Sequence, residues 1–532
     1  MKTNPSCSAS AVKTVVLMMA ATVVSKVLGL LRTTMLAAHY GTTAEAEAFS
    51  TALKIPRSFF DFLFAAAILG CFIPVYNSFF KSKDTPSAAE TAEADRFACI
   101  FFNAMLLITG LVSVAGMFAS APLIALITPQ MQPETAALAS VLLKIMFPIV
   151  AFSAGVYTLT GVLQSKNSFI LPAMLSTISN AGVILYFLCI DGALGENGVY
   201  GLAAAYLLSW LVQFLTLAVP LARSGFRFQA VLQLRDPALL RALKAAPPIL
   251  LGSWLMPAAS LLGTMFADKL TAVGGAIVIF DYADNLYIII AGILTYSICN
   301  FLFPKLARLS AAGSGDEFCG TVRDGVSGSL MIVIPVMAAV FVLGGEGVAV
   351  LYRRGQFTAE DAELTAVLLS VIACGMPAFS IIELGSRVFY AKGLVRIPAA
   401  AALTGVIVNA ASTAIFVETC ADSVGIAALG IGNALGQTAA AVVLIGCAVK
   451  KIPGLIDRAL VRRLLLAAGW SFAAWLAMTG VHALTGNFPY QASMPRNIVV
   501  AAAVFLVGAA VYIGGMLLSK KLETRRMSRK YE

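Results

Sequence analysis

Long apolar runs separated by short polar loops set the rhythm of this chain. Fourteen runs reach the roughly 20 residues that carry a helix across a bilayer. They lie near 12–40, 49–80, 97–127, 136–163, 169–190, 199–222, 245–270, 277–304, 324–345, 362–391, 397–418, 424–449, 460–484 and 496–519. Their length and spacing predict an all-α polytopic membrane protein of about 14 transmembrane helices.

The first two runs depart from the plain pattern. On a helical projection, Thr22, Ser25, Lys26, Gly29, Arg32 and Thr33 share one stripe about 120° wide, and Val23, Val24, Val27, Leu28, Leu30 and Leu31 cover the other side. In the second run Glu47, Ser50, Lys54, Arg57, Ser58 and Asp61 share a face, and Pro56 is expected to bend the helix there. A charge at mid-membrane costs roughly 2.5–3.5 kcal/mol on insertion scales, so four cations facing lipid would cost on the order of 10 kcal/mol. Lys26, Arg32, Lys54 and Arg57 are therefore expected to face a wet cavity or an anionic ligand. The competing placement has them snorkelling from helix ends or pairing with Glu47 and Asp61. The small and hydroxylated neighbours on the first stripe favour an interior wall.

Composition narrows the class. The chain has 532 residues, 59% of them hydrophobic and only 12% charged, which excludes an ordinary soluble domain. Its net charge of +10 sits in short loops between apolar runs, which reads as a topology signal and not as a nucleic-acid surface. Basic residues concentrate in alternate loops (Lys81, Lys166, Arg235, Lys305, Lys392, Lys450) and in the tail from Lys520, while acids such as Glu134, Glu196, Glu346 and Asp422 mark the loops on the other side. With an even number of spans, both termini are expected in the cytoplasm. Nine scattered Cys indicate neither a disulfide framework nor a metal site. The first run, broken by Lys26 and Arg32, does not read as a signal peptide.

The chain also reads as duplicated. Lys166 and Lys392 each precede a Pro by six residues, Pro172 and Pro398, and stand 226 residues apart; Pro74 and Pro304 sit in similar contexts 230 residues apart. The expected organisation is a lobe at 1–225, a second lobe at 235–450, two further helices at 458–520 and a basic tail at 521–532. Parallel repeats of this kind are a transporter architecture.

Enzyme chemistry finds little support. His39 and His482 are far apart, and no Walker A, G-x-S-x-G or H-E-x-x-H motif occurs. Asp268, Asp281 and Asp284 are candidates for a coupling monovalent cation, with interfacial acids as the plainer reading. Glu383 and Arg387 read as an ordinary i,i+4 pair. The cationic interior of the first lobe selects an anion, and guanidinium and ammonium groups suit a phosphate or diphosphate.

S-K-V-L-G-L-L-R at 25–32, A-E-A-F at 46–49, K-I-P at 54–56 and F-I-P-V at 72–75 resemble the N-terminal signature of the MurJ (MviN) family of lipid II flippases, within the superfamily that includes MATE exporters and Wzx-type flippases. Y-A-D at 282–284, L-Y-R-R-G-Q-F-T-A-E-D at 351–361 and F-Y-A-K-G-L-V-R-I-P at 389–398 resemble its later landmarks. The resemblance implies translocation of undecaprenyl-diphosphate disaccharide pentapeptide from the inner to the outer leaflet of the bacterial cell membrane during cell-wall synthesis. It also implies two lobes around a cationic cavity, a lipid-tail groove on the last two helices and contact with membrane lipids and the cell-wall synthesis machinery. It places Lys26 and Arg32 at basic cavity positions, Lys54 at the second-helix lysine and Glu47 at an outer-end acid. It implies no cofactor beyond a coupling ion and the membrane potential.

Some positions depart from the family pattern. Phe60 and Asn285 stand where the family has Arg, and Ala65 and Thr33 where it has acids; Arg57, one turn before Phe60, is expected to compensate. These departures keep a flippase for another polyprenyl-diphosphate oligosaccharide open. A MATE-like cation antiporter is disfavoured because it needs acids in its cavity. A membrane-embedded transferase is disfavoured because no loop is long enough to hold a catalytic set.

Overall fold

The computed structural model describes residues 5–57, 68–80, 87–166, 168–253 and 255–531. Asp61, Phe60 and Ala65 lie outside these residues. No strand occurs among the described residues. Eleven described helices are long and apolar enough to cross a membrane, or 12 when the pair 359–373 and 376–391, bent by 49°, is taken as one span. These correspond in order to 12 of the 14 expected runs. The other two, 49–80 and 245–270, pass through residues 58–67 and 254, which are not described.

The chain divides into two compact units, residues 1–36 with 43–268, and residues 37–42 with 269–532. The first contains most of α1 (Pro5–Tyr40), then α2 (Ala44–Pro56), α3 (Ile73–Asn77), α4 (Ala88–Phe118), α5 (Ser120–Ile127), α6 (Pro133–Met146), α7 (Ile149–Ser165), α8 (Ile170–Cys189), α9 (Gly198–Arg223), α10 (Pro237–Ser253) and α11 (Leu255–Asp268). Its core runs along α7, where Val150, Ala154, Val156, Leu159 and Val162 are buried. Gly161 lets Phe72 approach, since a Cβ there would lie 2.7 Å from the Phe72 ring. Phe72 in turn packs within 5.1–5.5 Å of Tyr76, Phe97 and Phe101. At one end of this unit Asp95 accepts a hydrogen bond from the Tyr76 hydroxyl at 2.6 Å and pairs with Lys166 at 3.1 Å.

The second unit contains α12 (Ala276–Ala311), α13 (Gly315–Leu351), α14 (Ala359–Ala373), α15 (Met376–Ala391), α16 (Arg396–Thr419), α17 (Ala427–Lys451), α18 (Arg458–Thr485) and α19 (Met494–Tyr531). Small residues decide its closest packing. A Cβ on Gly436 would lie 2.6 Å from the Gly405 carbonyl, and one on Gly432 would overlap the Thr413 hydroxyl, so α16 and α17 cross almost backbone to backbone. The hairpin of α18 and α19 packs on α13 through Ala338, Ala339, Ala474, Met478, Val500 and Val504. The two lysines that mark the sequence repeat each sit over a ring of their own unit, Lys166 over Phe226 and Lys392 over Phe318.

The end of α1 belongs to this second unit. Gly41, at φ +54°, turns the chain after Tyr40. The Ala38 carbonyl accepts the Gln356 N–H at 2.9 Å, and the Thr42 hydroxyl donates to Asp361 at 2.6 Å. Asp361 also takes the Thr358 N–H and hydroxyl at 2.7 and 2.8 Å, which caps α14. Phe357 and Tyr352 stack around Tyr282 on α12. The polar run at 351–361 is thus a socket for the turn that ends α1.

Candidate functional site

Four residues of the polar stripe of α1 face protein, while Thr22 and Lys26 are exposed. Ser25 and Thr33 are buried, Gly29 and Arg32 are half-buried, and Val23, Val24, Val27 and Leu31 on the opposite side are exposed. An apolar exposed side suits lipid, so the side-chain pattern orients the helix. On α8 the buried Asn180 meets the stripe. Its amide donates to the Ser25 carbonyl at 3.0 Å, and its carbonyl accepts from Arg32 Nη1 at 3.1 Å. Gly29 lies beside it: a Cβ there would stand 3.4 Å from the Asn180 amide, an ordinary van der Waals contact. The Arg32 guanidinium also lies 5.6 Å from the ring centre of Tyr206 on α9. Asn180 and Tyr206 orient the guanidinium.

On α2 the apolar face is buried through Ala48, Phe49, Ala52 and Ile55, which leaves Glu47, Ser50 and Lys54 half-buried and Arg57 exposed. The Lys54 ammonium donates to the Thr264 hydroxyl on α11 at 2.6 Å. The α-helix ends at Pro56, and Arg57 keeps helical dihedrals; the expected bend beyond it falls on residues that are not described. Lys26 is exposed at the edge of the stripe. In the first unit Arg32 meets Asn180 and Tyr206, Lys54 meets Thr264, and Lys26 and Arg57 take exposed positions.

The acids separate. Asp268 is buried and accepts the Gln130 N–H at 2.7 Å, so its carboxylate stabilises the loop before α6. The neighbouring Lys269 pairs with Glu418 at 3.0 Å. Asp281 and Asp284 are half-buried on α12. Asp268 belongs to the first unit and the other two to the second. Glu383 and Arg387 form the expected pair at 2.6 Å, with Arg387 over Tyr296.

Reading the chain without its structure missed four residues. Asn180, Tyr206 and Thr264 were visible only as isolated polar or aromatic positions in apolar runs, and nothing local tied them to Arg32 or Lys54. Glu346, expected in a loop, is instead buried inside α13, which extends to Leu351. The apolar residues after it, Val348 and Ala349, carry the helix past the acid.

The family described as lipid II flippase MurJ matches residues 36–499. A probable lipid II flippase MurJ of Rhizobium meliloti (strain 1021) is 27% identical over 521 residues, covering 94% of this chain and 93% of that protein. One from Bdellovibrio bacteriovorus is 25% identical over 515 residues, covering 96% of each. Among solved structures, a lipid II flippase MurJ in an inward closed conformation shares the fold with a TM-score of 0.77 at 20% identity, covering 94% of this chain and 100% of that one. An inward-facing MATE family multidrug transporter aligns with a TM-score of 0.62 at 16% identity, covering 83% of this chain and 98% of that one.

Proposed function

The chain belongs to the lipid II flippase MurJ family, and from that premise we propose that it carries lipid II across the cell membrane by alternating access. The observation that supports this reading is that Arg32 and Lys54 are half-buried and held in place within the first unit, Arg32 by Asn180 and Lys54 by Thr264. A guanidinium and an ammonium in a half-buried, weakly screened setting attract an anion more strongly than exposed ones do. The diphosphate is bound by Lys26, Arg32, Lys54 and Arg57, with Glu47 and Asp61 as charge partners in gating. The repeats at 1–225 and 235–450 are the moving parts, and the helices at 458–520 take the polyprenyl tail. Both termini lie in the cytoplasm, and the chain works beside the cell-wall synthesis machinery that supplies and consumes lipid II.

A membrane negative inside favours outward movement of an anion by about 2.3 kcal/mol per charge per 100 mV. The potential is therefore a sufficient drive, alone or with a monovalent cation moving at Asp268, Asp281 or Asp284. Cells depleted of their own flippase and supplied with this chain should regain lipid II on the outer leaflet, and dissipating the potential should slow its appearance. Failure of a well-expressed parent to restore exposure would refute lipid II as the substrate. In the same assay Arg57→Ala should slow transport; wild-type rates would remove Arg57 from the diphosphate site.

A further inference from the structure

Where α13 ends, a carboxylate is buried among partners that leave half of it unanswered. Glu346 is 1% exposed. Its Oε1 lies 2.6 Å from His482 Nε2 on α18 and accepts the Asn487 side-chain N–H at 3.0 Å. Asn487 also donates to Asn497 Oδ1 on α19 at 3.0 Å, and Asn497 donates to the Pro489 carbonyl at 2.8 Å. Among the described residues, Glu346 Oε2 and Asn487 Oδ1 are both buried and have no hydrogen-bond partner. Both are acceptors. Turning the Asn487 amide would set its carbonyl against two further acceptors, Glu346 Oε1 and Asn497 Oδ1.

The neighbouring charges do not fill this need. Arg353 donates to the carbonyls of Tyr490 and Ala492, and Arg496 to those of Thr485 and Gly486. Burial, then the charges of Glu363 and Glu346, push the Tyr490 hydroxyl up to about 12, so it stays neutral. A buried carboxylate oxygen with no donor carries a large desolvation penalty. The two arginines are engaged by backbone carbonyls, and His482, 25% exposed, answers Oε1 alone, so Oε2 is left without a donor among the described residues.

We propose that Glu346 Oε2 and Asn487 Oδ1 form a binding site for one small monovalent cation, a proton or an alkali-metal ion, that locks the α18–α19 hairpin onto α13. The apolar part of that contact is made largely of alanine and valine, so the polar end acts as its fastening. The site lies wholly in the second unit and does not depend on what the chain transports.

The test uses the full chain, purified and reconstituted in nanodiscs, with hydrogen exchange read over residues 482–497. In one arm NaCl or KCl replaces choline chloride at fixed pH and ionic strength. In the other, pH is lowered in choline chloride, with rates corrected for intrinsic exchange. At a cation concentration about 100 times its Kd, opening of the hairpin end should fall about 100-fold. A response to sodium or potassium identifies an alkali ion; a response to acid alone identifies a proton. Glu346→Gln replaces the charge with a neutral amide, so it should be protected without any cation and show no dependence. His482→Gln keeps the carboxylate and should keep the dependence. A parent that responds in neither arm, an unchanged response in Glu346→Gln, or a lost response in His482→Gln would overturn the assignment.

Discussion

Arg32→Ala should lower the rate at which lipid II reaches the outer leaflet by about 10- to 100-fold, at membrane levels equal to the parent's. Hydrogen bonds to charged groups contribute roughly 1.5–3 kcal/mol each, and each 1.36 kcal/mol is about tenfold in rate. Arg32 is fixed by Asn180 at 3.1 Å and by the Tyr206 ring. Two further variants separate charge from geometry. Arg32→Lys keeps the charge but loses the planar fork that meets a diphosphate with two parallel bonds, so it should fall between parent and Ala. Asn180→Ala keeps Arg32 but frees its orientation and should also give an intermediate rate. Equal rates for parent and Arg32→Ala would place the diphosphate elsewhere.

Gly355→Ala should cost about 2–5 kcal/mol of stability, enough to unseat the turn that ends α1. The position has φ +59°, where an L side chain costs roughly 1–2 kcal/mol. A Cβ there would also stand 2.0 Å from the Ala38 carbonyl, and overpacking adds about 1–3 kcal/mol. Gly41→Ala should behave alike, since at φ +54° its Cβ would lie 2.4 Å from the Gln356 carbonyl. Gly393 supplies the control: its φ is +72°, yet nothing lies within 4 Å of its added Cβ. Gly393→Ala should therefore show only the backbone part. Thermal unfolding of the purified variants measures the difference, and equal losses at Gly355 and Gly393 would show that the contact with Ala38 carries no energy.

The polar stripe on the first helix was legible because a membrane makes one periodicity do two jobs. Residues three and four apart share a face, and only one face of α1 can tolerate a hydroxyl, a glycine and a guanidinium. Ser25, Gly29, Arg32 and Thr33 accordingly point into the first unit while the valines point away. The loop at 351–361 was legible only as a family landmark. Its physical reason, a socket for residues 37–42, joins positions more than 300 apart in the chain. Glu346 was misplaced because an acid at the end of an apolar run looks like a loop residue until His482 and Asn487 are brought to it from α18 and the turn beyond.

By itself the sequence determined the class of this protein, its helices, the cationic stripe and its family. Each rests on local pattern: apolar length against bilayer thickness, 3.6-residue periodicity, and motifs of contiguous residues. Tertiary structure alone decided the partners. That Arg32 meets Asn180, that Lys54 meets Thr264 and that Glu346 meets His482 depend on residues at least 130 positions away. No periodicity encodes those distances, because the packing of one helix against another is set by the small residues and close approaches between them.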